Sequence, residues 1–227
     1  LTSIVATDTF STDITKDYTV KIDVTGLQPN TTYYYNFQAL DAKSITGRTK
    51  TTPSPSATVS HLRFVVTSCA NYQGGLFNAY KSIAKRNDLD AIIHLGDYIY
   101  EYKPGGYKNK SFTPPNTLLP EHEIITEADY RTRYALYRLD PNLCYAHQQH
   151  PFISIWDDHE SANDSYKDGA QNHNPPEEGN WIDRKNISQK VYFEWMPIRD
   201  NDSLNVYRKI SYGSLADIFL LDTRLEG

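Results

Sequence analysis

Residues 92–102 read IIHLGDYIYEY, and this stretch decides the prediction of the fold. The apolar residues are typical of a buried strand, and the glycine at 96 opens directly onto an aspartate, two tyrosines and a glutamate. FISIWDDHE at 152–160 repeats the arrangement with three acids and a histidine. Polar side chains that follow parallel strands are typical of the ligand site of an open α/β sheet.

The chain from residue 61 alternates predicted strands and helices. HLRFVVTSC is a strand, and Leu76, Phe77 and Tyr80 share one face of a helix that follows it. LDAIIHL is the next strand, and it is predicted to be parallel because a helix intervenes. Thr126 with Asp129 indicates a second helix start. Further on, PFISIW is a third buried strand, WIDRKNISQKVYFEWM is a helix that ends at Pro197, and NVYRKISYG and LADIFLLD are two more strands.

Residues 1–53 have an all-β pattern instead. YTVKIDVTGL, TTYYYNFQAL and SITGRTKT alternate apolar and polar positions, and the Leu, Pro-Asn-Thr and Tyr-rich strand resemble the end of a fibronectin type III-like β-sandwich. That domain needs about seven strands, and about four are predicted here. A linker at 54–60, within TPSPSATVS, separates this part from the α/β part at 61–227.

Two long loops follow the polar strand ends. Residues 103–125 contain four prolines, and residues 161–179 are polar with Pro175 and Pro176. Loops of this length inside a compact domain are usually functional or disordered.

Composition excludes several classes of function. A net charge of −5 over 227 residues offers no polybasic surface, so nucleic acid is not an expected partner. No apolar run is long enough to span a membrane, and residue 1 begins in a strand-like segment rather than a signal peptide. Cys69 and Cys144 could form one bridge, but Cys69 at a strand end is better suited to a ligand or nucleophile, and Cys144 to a packed free thiol. The cysteines leave the compartment undecided.

The polar strand ends favour metal chemistry. No G-x-S-x-G elbow for a serine triad occurs. Asp97 and Tyr100 are three residues apart, so one helical turn would place both on one ion. A phenol has a pKa of about 10, so it becomes a ligand at neutral pH only beside a strong Lewis acid such as Fe³⁺. Asp97 could bridge to a second ion, and two-metal sites bind both the attacking and the leaving oxygen of a phosphoryl displacement.

Four motifs in order resemble those of metallophosphoesterases. GDYIY resembles their G-D-x-x-Y motif, TSCAN stands where most have D-x-G, and WDDHE stands where they have G-N-H-E. These three with LDTR resemble the alkaline phosphatase D (PhoD) family. The resemblance implies an α/β metallophosphoesterase sandwich, with mixed sheets flanked by helices, after part of a fibronectin type III-like β-sandwich. It also implies that the sequence starts and stops inside these domains.

The resemblance implies a site residue by residue. Cys69, Asp97 and Tyr100 would hold Fe³⁺, and Asp158 would hold a divalent ion, Ca²⁺ by family precedent, with Zn²⁺, Mn²⁺ or Mg²⁺ as alternatives. His159 would face the phosphoryl group as a charged donor or proton donor. The weaker candidates are Asn71 and Asn163, which could bind a metal or contact the phosphate, and Arg224, which could clamp a phosphate oxygen.

Residues next to these candidates receive structural interpretations. Glu101 is expected to orient a ligand, whereas Asp157 is expected to be structural. His94, inside its strand, is interpreted as a core residue.

The implied function is hydrolysis of phosphomonoesters or phosphodiesters by a metal-bound hydroxide in an exported protein. Substrates in lipids or cell-wall polymers form a third hypothesis, and the oligomeric state stays open. The family completes its site with later histidines, whereas only His173 follows His159 in this sequence. The alternative is therefore a catalytically incomplete remnant or a scaffold that binds a glycan or a partner.

Overall fold

The N-terminal part of the protein holds only short elements. The computed structural model describes residues 3–201 and 203–226, so residues 1–2, 202 and 227 of the predicted domains lie outside the described residues. A 3₁₀ turn at Ile14–Lys16 precedes four strands: β1 (Thr32–Tyr35), β2 (Gln38–Ala39), β3 (Ala42–Lys43) and β4 (Gly47–Lys50). β1 pairs with β4 and β2 with β3, both antiparallel. The fibronectin-like sandwich and the domain boundaries stay predictions.

The strand predicted at YTVKIDVTGL is wrong, because residues 18–27 form no strand. Lys21 in this segment binds Asp200 at 2.9 Å, and its Nζ lies 5.3 Å from the ring centroid of Phe193. The segment therefore lies against the α/β part of the chain. Alternation alone predicted a strand, but a strand also needs a neighbour with which to pair.

The α/β part alternates strands and helices. In chain order these are β5 (Phe64–Thr67), α1 (Asn78–Ala84), β6 (Ala91–His94), α2 (Glu127–Arg138), α3 (Pro141–Gln149), β7 (Phe152–Ser154), α4 (Pro175–Glu178), α5 (Trp181–Trp195), β8 (Arg208–Tyr212) and β9 (Ala216–Leu220). β5, β6 and β7 form a parallel sheet in that order, and the predicted parallel direction of β6 is confirmed. β8 and β9 pair with each other as an antiparallel hairpin.

The parallel strands end at one level. Thr67 lies opposite His94, and His94 lies opposite Ser154. The ladder continues beyond the strands, because the Leu95 amide donates to the Thr67 carbonyl and the Ile155 amide to the His94 carbonyl. The segments that follow the strands therefore leave the sheet side by side.

Helices pack on this sheet and on one another. α1 packs against α3, and α2 packs against α5. The Thr126 hydroxyl accepts from the Asp129 amide and the Asp129 side chain accepts in return, which confirms the predicted helix start. α1 begins at Asn78, later than the apolar pattern indicated, and Leu76 is 57% exposed because it precedes the helix.

No helix in the described part of the chain combines the length and apolar character that a bilayer crossing requires.

α3 was not predicted, although a start signal was present. Asp140 caps this helix by accepting from the amides of Asn142 and Leu143, and Pro141 occupies its first turn. Asp followed by Pro is a common helix start. Its apolar face is too short to stand out in the sequence.

Candidate metal centre

A glycine brings two strand ends into contact. Gly96 follows β6 and has a φ of +109°, a backbone conformation that residues other than glycine rarely adopt. A Cβ at this position would lie 2.2 Å from the backbone nitrogen of Asp157, which follows β7. The glycine therefore lets the two strand ends approach within van der Waals distance.

Glu160 ties the same two segments together. Its buried carboxylate accepts from the amides of Asp97 at 3.0 Å, Tyr98 at 2.5 Å and Asp157 at 2.9 Å. Burial raises the pKa of Glu160 to about 8, the charge of Asp97 adds to this, and the three amides oppose it. Glu160 was not predicted as a site residue, although it is the last residue of the WDDHE motif.

Three side chains of these segments form a cluster. Ligand atoms of Asp97, Asp158 and His159 all lie within 4.8 Å of one another, and all three residues are buried. Oδ2 of Asp97 accepts from the Tyr100 hydroxyl at 3.1 Å and from the Cys69 thiol at 3.3 Å. The structure thus brings together the five strongest candidates from three strand ends.

One carboxylate oxygen of this cluster has no partner among the described residues. Oδ1 of Asp97 is buried and receives no hydrogen bond. A buried, unpaired carboxylate oxygen is unfavourable, so it usually has an unseen partner such as an ion or a water. Together with a thiol, a phenol, a carboxylate and an imidazole, this oxygen fits a cation.

The protonation of these groups depends on such a cation. Burial raises the pKa of Asp97. Burial raises the pKa of Cys69 as well, and burial together with the charge of Asp97 raises the pKa of Tyr100 far above its usual range. Both groups keep their protons in the metal-free protein, and a bound cation would displace them.

His159 is held on one side by Glu101. Its Nδ1 donates to Oε2 of Glu101 at 2.8 Å, and its ring stacks on Tyr100 with centroids 4.1 Å apart. Burial lowers the pKa of His159, but the hydrogen bond to Glu101 and the charges of Glu101, Asp97 and Asp158 raise it more, so the net shift is upward. Glu101 lies where the sequence analysis expected it.

The second oxygen of Glu101 connects the site to the loop at 161–179. Oε1 accepts from the Asn163 amide and from Nδ2 of Asn172, both at 2.8 Å. Nδ2 of Asn172 also donates to Glu123 in the other long loop. Asn172 was missed, because an asparagine in a polar loop carries no sequence signal.

Arg224 contacts the cluster through its acids. Its Nε donates to Oδ1 of Asp157 at 2.5 Å, and a terminal nitrogen lies 3.4 Å from Oδ1 of Asp158. The hydrogen bond to Asp157 raises the pKa of Arg224. The other oxygen of Asp158 accepts from the Asp164 amide at 2.6 Å. Asp157, interpreted as structural, therefore serves as the partner of Arg224.

The two asparagine candidates, and the two histidines considered in the sequence analysis besides His159, have partners outside the cluster of Asp97, Asp158 and His159. Nδ2 of Asn71 donates to the Tyr107 carbonyl, and Nδ2 of Asn163 donates to Asp164 and Gln171.

His94 is buried beside the Tyr80 hydroxyl, and burial lowers its pKa to about 3, as expected of a core residue. His173 contacts Glu178 and the Gly179 carbonyl. Both cysteines are free thiols.

Known proteins are similar to this chain in sequence and in fold. A family model described as PhoD-like phosphatase matches residues 64–227, and one described as its N-terminal domain matches residues 1–53. Alkaline phosphatase D of Bacillus subtilis (strain 168) is 40% identical over 216 residues, which cover 91% of this chain and 36% of that protein.

Two solved structures are similar. One described as the structure of PhoD matches with a TM-score of 0.80 at 40% identity, over 88% of this chain and 38% of that chain. A purple acid phosphatase from yellow lupin (Lupinus luteus) seeds matches with a TM-score of 0.50 at 18% identity, over 83% of this chain and 29% of that chain, and this likeness concerns the fold alone. This chain spans little more than a third of the PhoD relatives. It belongs to the PhoD-like phosphatase family.

Proposed function

We propose that this chain carries the greater part of a metal-dependent site that hydrolyses phosphate esters. The observation that carries the proposal is the convergence of Asp97, Asp158 and His159 within 4.8 Å, with an unpaired buried oxygen on Asp97. Family membership and the name of the B. subtilis relative support the same reaction class.

The donor set supports two different cations. The phenol of Tyr100 and the thiol of Cys69 both donate a hydrogen bond to Oδ2 of Asp97. A phenolate together with a thiolate suits Fe³⁺. Asp158 offers only carboxylate oxygens, which suit a hard divalent ion such as Ca²⁺. A bound cation pair supplies Lewis-acid polarisation of the phosphoryl group and an acidified water. Asp97, between the two groups of donors, would contact both ions.

His159 is proposed as the proton donor. Because Glu101 accepts from Nδ1, the other ring nitrogen, Nε2, is the one that can serve the substrate. In the metal-free protein the raised pKa of His159 favours the imidazolium, which carries a proton on Nε2. As the bond between phosphorus and the leaving oxygen breaks, that proton would pass to the oxygen and release a neutral alcohol.

Arg224 would neutralise charge next to this step. Its guanidinium already bridges Asp157 and Asp158, and about a third of its side chain is exposed. A phosphate oxygen is a stronger partner for the exposed part than water is. Arg224 is thus proposed to hold a phosphate oxygen while it stays anchored on Asp157.

The competing proposal is a binding scaffold without catalysis. It rests on His173, the last histidine of the sequence, which contacts Glu178 and Gly179 rather than the cluster. This chain therefore brings one histidine to the site. A scaffold would hold its acids together without hydrolysing any ester.

The test combines metal content, colour and hydrolysis. The chain is loaded with Fe³⁺ and Ca²⁺, and iron is quantified by elemental analysis beside the hydrolysis of p-nitrophenyl phosphate and its bis-ester. We expect a visible phenolate-to-iron absorption band that Tyr100→Phe abolishes and that Tyr98→Phe retains, because the Tyr98 hydroxyl contacts His147 instead. Asp97→Asn should abolish both iron binding and hydrolysis.

The outcomes separate the proposals. If the metal-loaded wild type hydrolyses neither ester faster than Asp97→Asn, the enzyme proposal fails. Iron binding with no hydrolysis would favour the scaffold. His159→Gln distinguishes a proton donor from a ligand of iron. Loss of a proton donor should leave iron binding intact, whereas loss of an iron ligand should weaken it.

A further inference from the structure

An aromatic wall stands beside the metal cluster, formed by Tyr100, Tyr102, Tyr107 and His159. The Tyr107 ring is nearly parallel to that of Tyr100, with centroids 5.9 Å apart and an interplanar angle of 17°. It is also nearly parallel to His159, at 6.0 Å and 23°, and it lies 5.5 Å from Tyr102. The aromatic wall thus begins at two site residues and extends outward through Tyr107.

The segment that carries Tyr107 is fastened in place. Nδ2 of Asn71 donates to the Tyr107 carbonyl at 3.1 Å. The buried side chain of Gln73 accepts from the Gly105 amide at 2.7 Å and donates to the Lys103 carbonyl at 3.3 Å. These contacts tie the loop to the segment after β5. They also give Asn71 a role that is not metal binding.

Tyr107 nevertheless remains 54% exposed. Its aromatic contacts among the described residues are all to members of the wall, so packing into the core does not explain its position. A flat apolar ring, held rigidly next to a polar cluster and half open to water, resembles the surface on which a ligand ring stacks.

We propose that Tyr107 forms the subsite for the alcohol part of the substrate and favours phosphate esters whose alcohol carries a flat ring. This inference rests on the proposed function, because it takes the Asp97 cluster as the position of the phosphoryl group. Tyr100 connects the two places, since its hydroxyl lies 3.1 Å from Asp97 and its ring lies against Tyr107. If the alcohol part of the ester extends from the phosphoryl group towards Tyr100, a ring near its oxygen would contact the aromatic wall. Tyr107 is therefore a specificity-determining residue for this site.

The experiment measures binding separately from hydrolysis. Benzylphosphonate and ethylphosphonate cannot be hydrolysed as esters, and they differ in the ring. Their dissociation constants are measured by calorimetry on the metal-loaded chain, in wild type, Tyr107→Ala, Tyr107→Phe and Tyr34→Ala. Tyr34, in β1, is 55% exposed and serves as the matched control. The hydrolysis of benzyl phosphate and ethyl phosphate is followed in parallel.

We expect wild type to bind benzylphosphonate about fivefold more tightly than ethylphosphonate, which corresponds to one aromatic stacking contact. Tyr107→Ala should remove this preference, while Tyr107→Phe and Tyr34→Ala keep it, since the ring stacks and the hydroxyl does not. A wild type without the preference, or a preference that survives in Tyr107→Ala, would overturn the inference. Ring-dependent binding with no hydrolysis of either ester would instead count against the proposed function alone.

Discussion

Nδ1 of His159 donates a hydrogen bond of 2.8 Å to a carboxylate oxygen of Glu101, and the Glu101 side chain is fully buried. A buried carboxylate fixes the orientation of the ring and its protonated nitrogen. Glu101 in turn accepts hydrogen bonds from the Asn163 amide and the Asn172 side chain. The loop at 161–179 therefore contributes to the orientation of the His159 ring.

Glu101→Gln should lower the pKa of His159 in the metal-free protein. The substitution removes the charge of Glu101 and its charged hydrogen bond, so only the charges of Asp97 and Asp158 still oppose the burial of the ring. A pH titration of the His159 ring by NMR measures the change. Glu121→Gln, at an exposed position of the same loop region, should leave the titration unchanged, and an unaltered curve in Glu101→Gln would contradict the explanation.

The same pair makes the stability of the metal-free protein depend on pH. The pKa of His159 in the folded state lies above its unfolded value of about 6.5, so the protonated ring stabilises the fold. This stabilisation is fully present below about pH 6.5 and is lost as the pH rises through the raised pKa. Urea unfolding at a series of pH values should show the decline in wild type and a smaller one in Glu101→Gln.

Gly96→Ala should destabilise the protein by about 3 kcal/mol or more. The new Cβ would meet the backbone nitrogen of Asp157 at 2.2 Å, and the φ of +109° is strained for alanine. Gly75→Ala is the matched control, because nothing lies within 4 Å of its ideal Cβ, and its effect should stay within about 0.5 kcal/mol. Urea midpoints of the two variants measure the difference, and equal midpoints would contradict it.

Asp97→Asn should separate stability from metal binding. Without metal, the variant should be at least as stable as wild type, because it removes a charge whose burial is unfavourable. With metal at 100 times the dissociation constant, wild type should gain about 2.7 kcal/mol and the variant far less. Thermal unfolding with and without metal measures both effects. Asp168→Asn, at an exposed position, should gain as much as wild type.

Arg184→Met should destabilise the protein by about 3 kcal/mol or more. This guanidinium is 1% exposed and binds Glu123 at 2.9 Å and Glu178 at 2.8 Å, one acid from each long loop. Its loss leaves two carboxylates without the guanidinium that balances their charge. Arg199→Met removes an exposed pair with Asp23, and its effect should stay below about 1 kcal/mol. Urea unfolding compares the two, and similar losses would contradict the prediction.

The sequence predicted the parallel sheet and the site candidates at its edge because each is a short-range signal. A buried apolar strand followed by Gly96 and Asp97 is visible within a few residues, and so is the Thr126 start of α2. The N-terminal segment was predicted less well. Residues 18–27 alternate like a strand, but they form none, and Lys21 among them lies over the ring of Phe193.

The contacts between loops could not be predicted from the sequence. The link from Asn172 to Glu101 spans 71 positions, and that from Asn71 to Tyr107 spans 36. No local pattern encodes such pairs, because they depend on where the strands place the loops. The motif of Asn71 predicts a contact with metal or phosphate, but it carries no sign that its side-chain amide also donates to the loop that carries Tyr107.

The level ending of β5, β6 and β7 limits how this protein can change. A slip of one residue in any of the three pairings would move its ligands by about 3.3 Å and turn them to the opposite face. Cation coordination tolerates deviations of only about 0.2 Å. Substitutions within the strands, at the half-buried Val65 or Ile93 for example, would thus affect the candidate site several residues away. The backbone pairing of the three strands therefore limits how far the candidate ligands can shift relative to one another.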